Sequence, residues 1–161
     1  MAISDHALIE AWASVLALSQ LKRGQTVTVL TGPQTHPQTL ATAIVAARAA
    51  GAVVNRLDLQ PVNGERSISR DPLAYVGVTP LTGNPAALAA CKASDLVIDL
   101  MLLLFSPEQA EILASGAKIL LAVEPPEVLC RIMPSAQDKA RVTAAGEKIR
   151  AARLMLSLIH I

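Results

Sequence analysis

At 161 residues and a formal charge of +1, the chain has the length of a single domain and no field strong enough to hold a phosphate backbone. Hydrophobic residues make up 52% of it and mean hydropathy is +0.44, yet only Trp12, Tyr75 and Phe105 are aromatic, which leaves no set of base-stacking platforms. Nucleic acid is therefore excluded as an expected partner, and a chain this apolar is expected to bury most of its strands on both faces.

The opening segment, "MAISDHALIEAWASVLALSQ", carries neither a basic leader nor a small-residue cleavage site. Nowhere do about 18 apolar residues run consecutively, so the expectation is a cytoplasmic protein with no membrane partner. Ser4 and Asp5 suit the start of a first helix with Leu8, Trp12, Val15 and Leu16 on one face, and Gly24 suits its stop. "TVTVL" (26–30) is a β-branched strand broken by "TGPQTHP". A second helix across "QTLATAIVAARAAG" places Pro37 in its first turn and Gly51 at its end, and "AVVNRLDL" (52–59) is the next strand.

Residues 60–80 show no sustained period and contain three prolines, which suits a binding loop, an oligomer contact or a disordered segment. Asn84-Pro85 then caps and starts a helix through "AALAACKAS". "DLVIDLMLLL" (95–104) is expected as a fully buried strand handed through Phe105 to a helix with Ser106 as cap, Pro107 in first place and Gln109 three residues after the cap. "AKILLAVE" (117–124) is a further buried strand, "EVLCRIM" a short helix, and Ser135 with Asp138 begins a long helix reaching about Arg153. The cations Lys139, Arg141, Lys148, Arg150 and Arg153 read as a solvated face.

Strands alternating with helices predict parallel crossovers, hence an α/β, Rossmann-like three-layer domain with a mostly parallel sheet and helices on both faces. No complete catalytic constellation accompanies it. The first strand-to-helix turn has neither GxGxxG nor a GK[ST] sequence, so no nucleotide cofactor is expected, and His36 in that turn reads as a helix-start residue before it reads as a base. His6, His36 and His160 lie in unrelated segments without metal-ligand spacing. No GxSxG elbow exists, and Ser106 is explained as a cap. Cys91 and Cys130 read as small buried hydrophobes. Glu124, at the end of a strand, is the polar candidate, since open α/β sheets bind ligands at strand C-terminal ends. Asp95 suits the start of its strand, whereas Asp99 sits mid-run and needs a hydrogen-bonding neighbour.

The pieces "LTGN" (81–84), "SPEQ" (106–109) and "LLAVEPPEVL" (120–129), in this order and spacing, resemble the N-terminal domain of the 2,5-dihydroxypyridine 5,6-dioxygenase family, with weaker similarity back to the first helix. That family is similar in turn to metallopeptidases of the aminopeptidase T or leucyl aminopeptidase type. The resemblance implies a parent enzyme of nicotinate catabolism whose Fe(II), held by two His and one Asp outside this chain, activates O2 to open a small aromatic substrate. It implies residues 1–153 as the N-terminal domain of a larger, homo-oligomeric enzyme, 154–161 as a non-native tail, and no activity for this piece alone.

At the position between the Leu run and "SPEQ", the resemblance implies a His handling a proton of a substrate hydroxyl, where this chain has Phe105. Leu104 and Phe105 are accordingly the expected pocket wall, and a phenyl ring moves no proton. Two alternatives stay open: the same domain in an aminopeptidase T-like metallopeptidase, and a stand-alone α/β binding or oligomerisation module.

Overall fold

Val27 and Val29 of β1 (Thr26–Thr31) turn to one side of a sheet, and Thr28 and Leu30 to the other, all of them buried. This two-residue alternation, with apolar or internally bonded groups on both faces, requires helices above and below. The computed structural model describes residues 3–60 and 79–151. Residues 61–78 of the expected long loop, Arg153, His160 and the 154–161 tail lie outside the described residues.

The remaining elements are α1 (Asp5–Leu18), α2 (Pro37–Ala49), β2 (Val53–Asp58), α3 (Pro85–Lys92), β3 (Leu96–Asp99), α4 (Pro107–Ala114), β4 (Lys118–Leu121), α5 (Pro126–Ile132) and α6 (Ala136–Ala151). The strands form one parallel sheet in the order β2-β1-β3-β4, with Val29 opposite both Arg56 and Ile98, and Ile98 opposite Leu120. On one face α1, α2 and α5 bury Leu8, Trp12, Leu16, Ala43, Ala47 and Leu129 against Val27, Val29, Leu96 and Ile98. On the other, α3 and α4 bring Ala87, Cys91 and Ile112 onto Leu30 and Val97, while Thr28 Oγ1 and Ser94 Oγ satisfy each other at 2.7 Å. The three-layer α/β domain is thus present.

The helix starts follow their caps. Ser4, Asn84 and Ser106 accept the N–H groups of Ala7, Ala87 and Gln109, and α2, α3 and α4 each begin on the proline after the cap. Ser135 and Asp138 form a reciprocal capping box ahead of α6. That helix is exposed along almost its whole length, as its charge pattern suggests.

Four expectations are corrected. The strand drawn over 95–104 ends at Asp99, because the next N–H groups turn back onto the Asp99 carboxylate instead of continuing the ladder. The segment 117–124 is only strand from Lys118 to Leu121 and is a half-exposed edge, and β2 is the other edge, so burial on both faces belongs to β1 and β3. The first helix stops at Leu18, well before Gly24, with Gln20 at φ +59°. Cys130 is half-buried, while Cys91 is buried.

Candidate functional site

The chain leaves β1 to one side for β2, while β3 lies on its other side, so the crevice above the C-terminal ends of β1 and β3 is the topological switch point of the sheet. Two loops meet there. Thr35 Oγ1 accepts the Gly32 N–H at 2.9 Å and donates to Leu100 O at 3.2 Å, tying the β1–α2 turn to the loop after β3. A Cβ on Gly32 would lie 3.3 Å from Met101 Cε and 3.4 Å from Leu59 O, so the absence of a side chain lets the loops approach.

Asp99 organises the second loop. Its Oδ1 accepts the N–H groups of Met101 (2.8 Å) and Leu102 (3.0 Å), and its Oδ2 that of Leu103 (2.7 Å). Burial pushes the Asp99 carboxyl above its ordinary range, against the opposite pull of these donors. The chain turns sharply here, with φ +73° at Leu102 and +60° at Phe105. Leu103 points into the core, Leu104 is half-buried, and the Phe105 side chain stands 71% exposed at the loop tip. The expectation that Phe105 hands a buried strand to α4 is therefore corrected: it is presented outward. Its N–H is held by Gln109 Oε1 at 2.8 Å, and Gln109 N–H is held by Ser106 Oγ at 3.0 Å.

The turn before α3 braces this helix start. Thr82 Oγ1 donates to Glu108 Oε1 at 2.6 Å and Thr79 Oγ1 to Oε2 at 3.4 Å, leaving the Glu108 side chain in the first turn of α4 buried and bonded. An acid there also suits the helix dipole. "LTGN" and "SPEQ" are thus two halves of one contact, which sequence spacing alone does not reveal.

Beside the Thr35–Leu100 tie lies a depression of about 160 Å³ lined on one side by Gln34, Thr35, His36 and Thr39 and on the other by Leu100, Ala122, Val123, Glu124 and Pro125. It brings His36 and Glu124 together; Leu104 and Phe105 are not among its walls. His36 is the cap of α2, its Nδ1 accepting the Gln38 N–H at 3.2 Å, and Glu124 is exposed on the rim. Thr39 is the residue that sequence reading missed, because a threonine inside a helical run carries no signal. Asp95 holds the bottom of the sheet instead, accepting from Gln25 Nε2 and the Thr26 N–H. Burial pushes the Cys91 thiol up to about 11, which leaves it unreactive. His6 lies on the exposed face of α1 beside Glu10. Among the described residues no three His, Cys, Asp or Glu side chains gather as a metal would require, and no helix is long and apolar enough to cross a membrane.

The chain is similar to a 2,5-dihydroxypyridine 5,6-dioxygenase of Pseudomonas putida KT2440, 44% identical over 153 residues that make up 95% of this chain and 44% of the relative. The solved structure of 2,5-dihydroxypyridine dioxygenase from the same organism superposes with a TM-score of 0.82 at 44% identity, over 94% of this chain and 44% of that one. The chain thus spans less than half the length of the relative it matches. The family model described as 2,5-dihydroxypyridine 5,6-dioxygenase matches residues 7–157, and the chain belongs to that family.

Proposed function

We propose that this chain is the substrate-side domain of a non-haem Fe(II) dioxygenase that opens 2,5-dihydroxypyridine, or a related hydroxylated aromatic, in nicotinate catabolism. The observation that carries the reading is the loop after β3, anchored by Asp99 and Gln109, which holds Phe105 outward at the C-terminal edge of the sheet, the edge at which open α/β sheets bind ligands. Family membership supplies the reaction class.

The described residues do not fit an Fe(II) site, so no step is routed through a metal held by this chain. When bound elsewhere in the enzyme, Fe(II) supplies O2 activation. In the ring opening that the family description names, the bond between carbons 5 and 6 would be the one broken, with O2 as the oxidant. The part of this chain is to wall the ring with Leu104 and Phe105 and to exclude water from one side of it. Phe105 cannot relay the proton of a substrate hydroxyl, so that task falls to a group outside the loop or to a substrate that does not need it. The enzyme is further proposed to act as a cytoplasmic homo-oligomer.

The test is O2 uptake by the complete protein loaded with Fe(II). Consumption of O2 on addition of 2,5-dihydroxypyridine supports the reading. No uptake, together with amino-acid release from dipeptides in Co(II) or Zn(II), would replace it with an aminopeptidase T-like function.

A further inference from the structure

Gln109 reaches further than a helix cap requires. In an ordinary capping box the side chain at the third helical position bonds back to the N–H of the cap residue itself. Here the Ser106 N–H already donates to Leu103 O at 3.1 Å, and Gln109 Oε1 passes it by to accept the Phe105 N–H at 2.8 Å. The Gln109 amide therefore sits at the loop tip, beside the residue whose ring stands 71% exposed.

That contact fixes which way the amide faces. A backbone N–H can only donate, so the Gln109 oxygen must meet Phe105 and the Nε2 amino group must face away from it. Among the described residues Nε2 has no acceptor. Unlike the buried Trp12 Nε1 and Thr39 Oγ1, which also lack partners, it reaches solvent. The side chain is half-buried, the Gln109 N–H is held by Ser106 Oγ at 3.0 Å, and the neighbouring Glu108 is held by Thr82 at 2.6 Å. Two donor hydrogens are thus kept in one direction, with little side-chain freedom left to lose when an acceptor arrives.

Resting on the reading of this loop as a substrate wall, we propose that Gln109 determines specificity, its Nε2 donating to the oxygen on carbon 2 of a hydroxypyridine whose ring lies along Phe105. That oxygen suits an N–H donor because a 2-hydroxypyridine also exists as its pyridone tautomer, in which the oxygen is a carbonyl and accepts only. The hydroxyl on carbon 5 keeps a proton to donate and needs an acceptor, which Nε2 does not provide. A ring without the oxygen on carbon 2 leaves the Gln109 donor unmatched against it, and a site built to hydrogen-bond a ligand discriminates against analogues on that ground.

The test is binding to the complete Fe(II)-loaded protein without O2, with O2 uptake on 2,5-dihydroxypyridine measured in parallel. Gln109→Glu keeps an oxygen for the Phe105 N–H and puts a second acceptor where the amino group stood. It is expected to weaken 2,5-dihydroxypyridine and 2-hydroxypyridine about tenfold. By contrast 3-hydroxypyridine, the same ring without the oxygen on carbon 2, should bind wild type and variant alike, and hydrogen exchange at the Phe105 amide should stay unchanged. Gln109→Met, similar in length but with neither group, should weaken the same two ligands and also speed exchange at Phe105. Unchanged binding of 2,5-dihydroxypyridine to Gln109→Glu, or an equal loss for all three ligands, would overturn the role of Gln109 while O2 uptake by wild type leaves the ring-cleavage reading standing. A wild-type protein that neither binds 2,5-dihydroxypyridine nor consumes O2 would overturn both.

Discussion

The Thr82 hydroxyl donates to Glu108 Oε1 at 2.6 Å, joining the turn that precedes α3 to the first turn of α4. Replacing Thr82 by Val leaves the buried carboxylate with the longer Thr79 contact of 3.4 Å. The expected loss is about 1.5 to 3 kcal/mol, the range for a hydrogen bond to a charged group, read from urea denaturation. Thr82→Ser keeps the hydroxyl and is expected to recover most of it.

Asp99 gives a pH dependence with a definite sign. Its folded pKa is raised above the ordinary 3.8, so the stability linked to its protonation is fully present below pH 3.8 and is lost as pH rises through the raised folded value, whereas its role as acceptor of the three loop N–H groups does not depend on that proton. The stability difference between wild type and Asp99→Asn should therefore shrink as pH rises from about 3 toward neutrality. Asp99→Ala removes the acceptor of three N–H groups, the Leu103 one buried, and is expected to cost about 2 to 3 kcal/mol at neutral pH. Hydrogen exchange at residues 101–103 should accelerate most in that variant.

Asp138 behaves in the opposite sense. The Ser135 hydroxyl and N–H hold its carboxyl below the ordinary range, so the capping contribution is present above pH 3.8 and is lost as pH falls through the lowered value. Helix signal from α6 should fade in acid, and Ser135→Ala should remove the transition. Circular dichroism followed against pH reads both.

For Phe105 the structure changes the expected magnitude. A core phenylalanine truncated to Ala would cost about 3 to 5 kcal/mol. At 71% exposure and φ +60°, Phe105→Ala should stay within about 1 kcal/mol of wild type. Phe105→Gly should match wild type or exceed it by up to about 1 kcal/mol, since glycine adopts the left-handed conformation without the Cβ penalty. Thermal unfolding of the three proteins distinguishes the outward loop from a buried strand end.

The helix starts were legible because capping is local: Ser4, Asn84-Pro85, Ser106-Pro107 and Ser135 with Asp138 each announce a boundary within four residues. Strand ends were not. "LVIDLMLLL" reads as one apolar run, and only the three-dimensional return of the Met101, Leu102 and Leu103 amides to Asp99 shows where the ladder stops. For the same reason Phe105 reads as the hand-over from that strand to α4, although the chain turns it outward. Edge strands escaped notice because strand order, which decides that β2 and β4 lie outermost, is a property of crossovers and not of local composition. His36 and Glu124 were singled out separately, from a turn and a strand end, but the pocket they share with Thr39 joins segments more than eighty residues apart.

The most direct test of the outward loop as a substrate wall is the pH profile of turnover for Phe105→His in the complete Fe(II)-loaded protein. A wall position predicts altered kcat, or a new limb in the profile near the ordinary histidine pKa of about 6.5, with stability close to wild type. A profile that superimposes on wild type at unchanged turnover would contradict it.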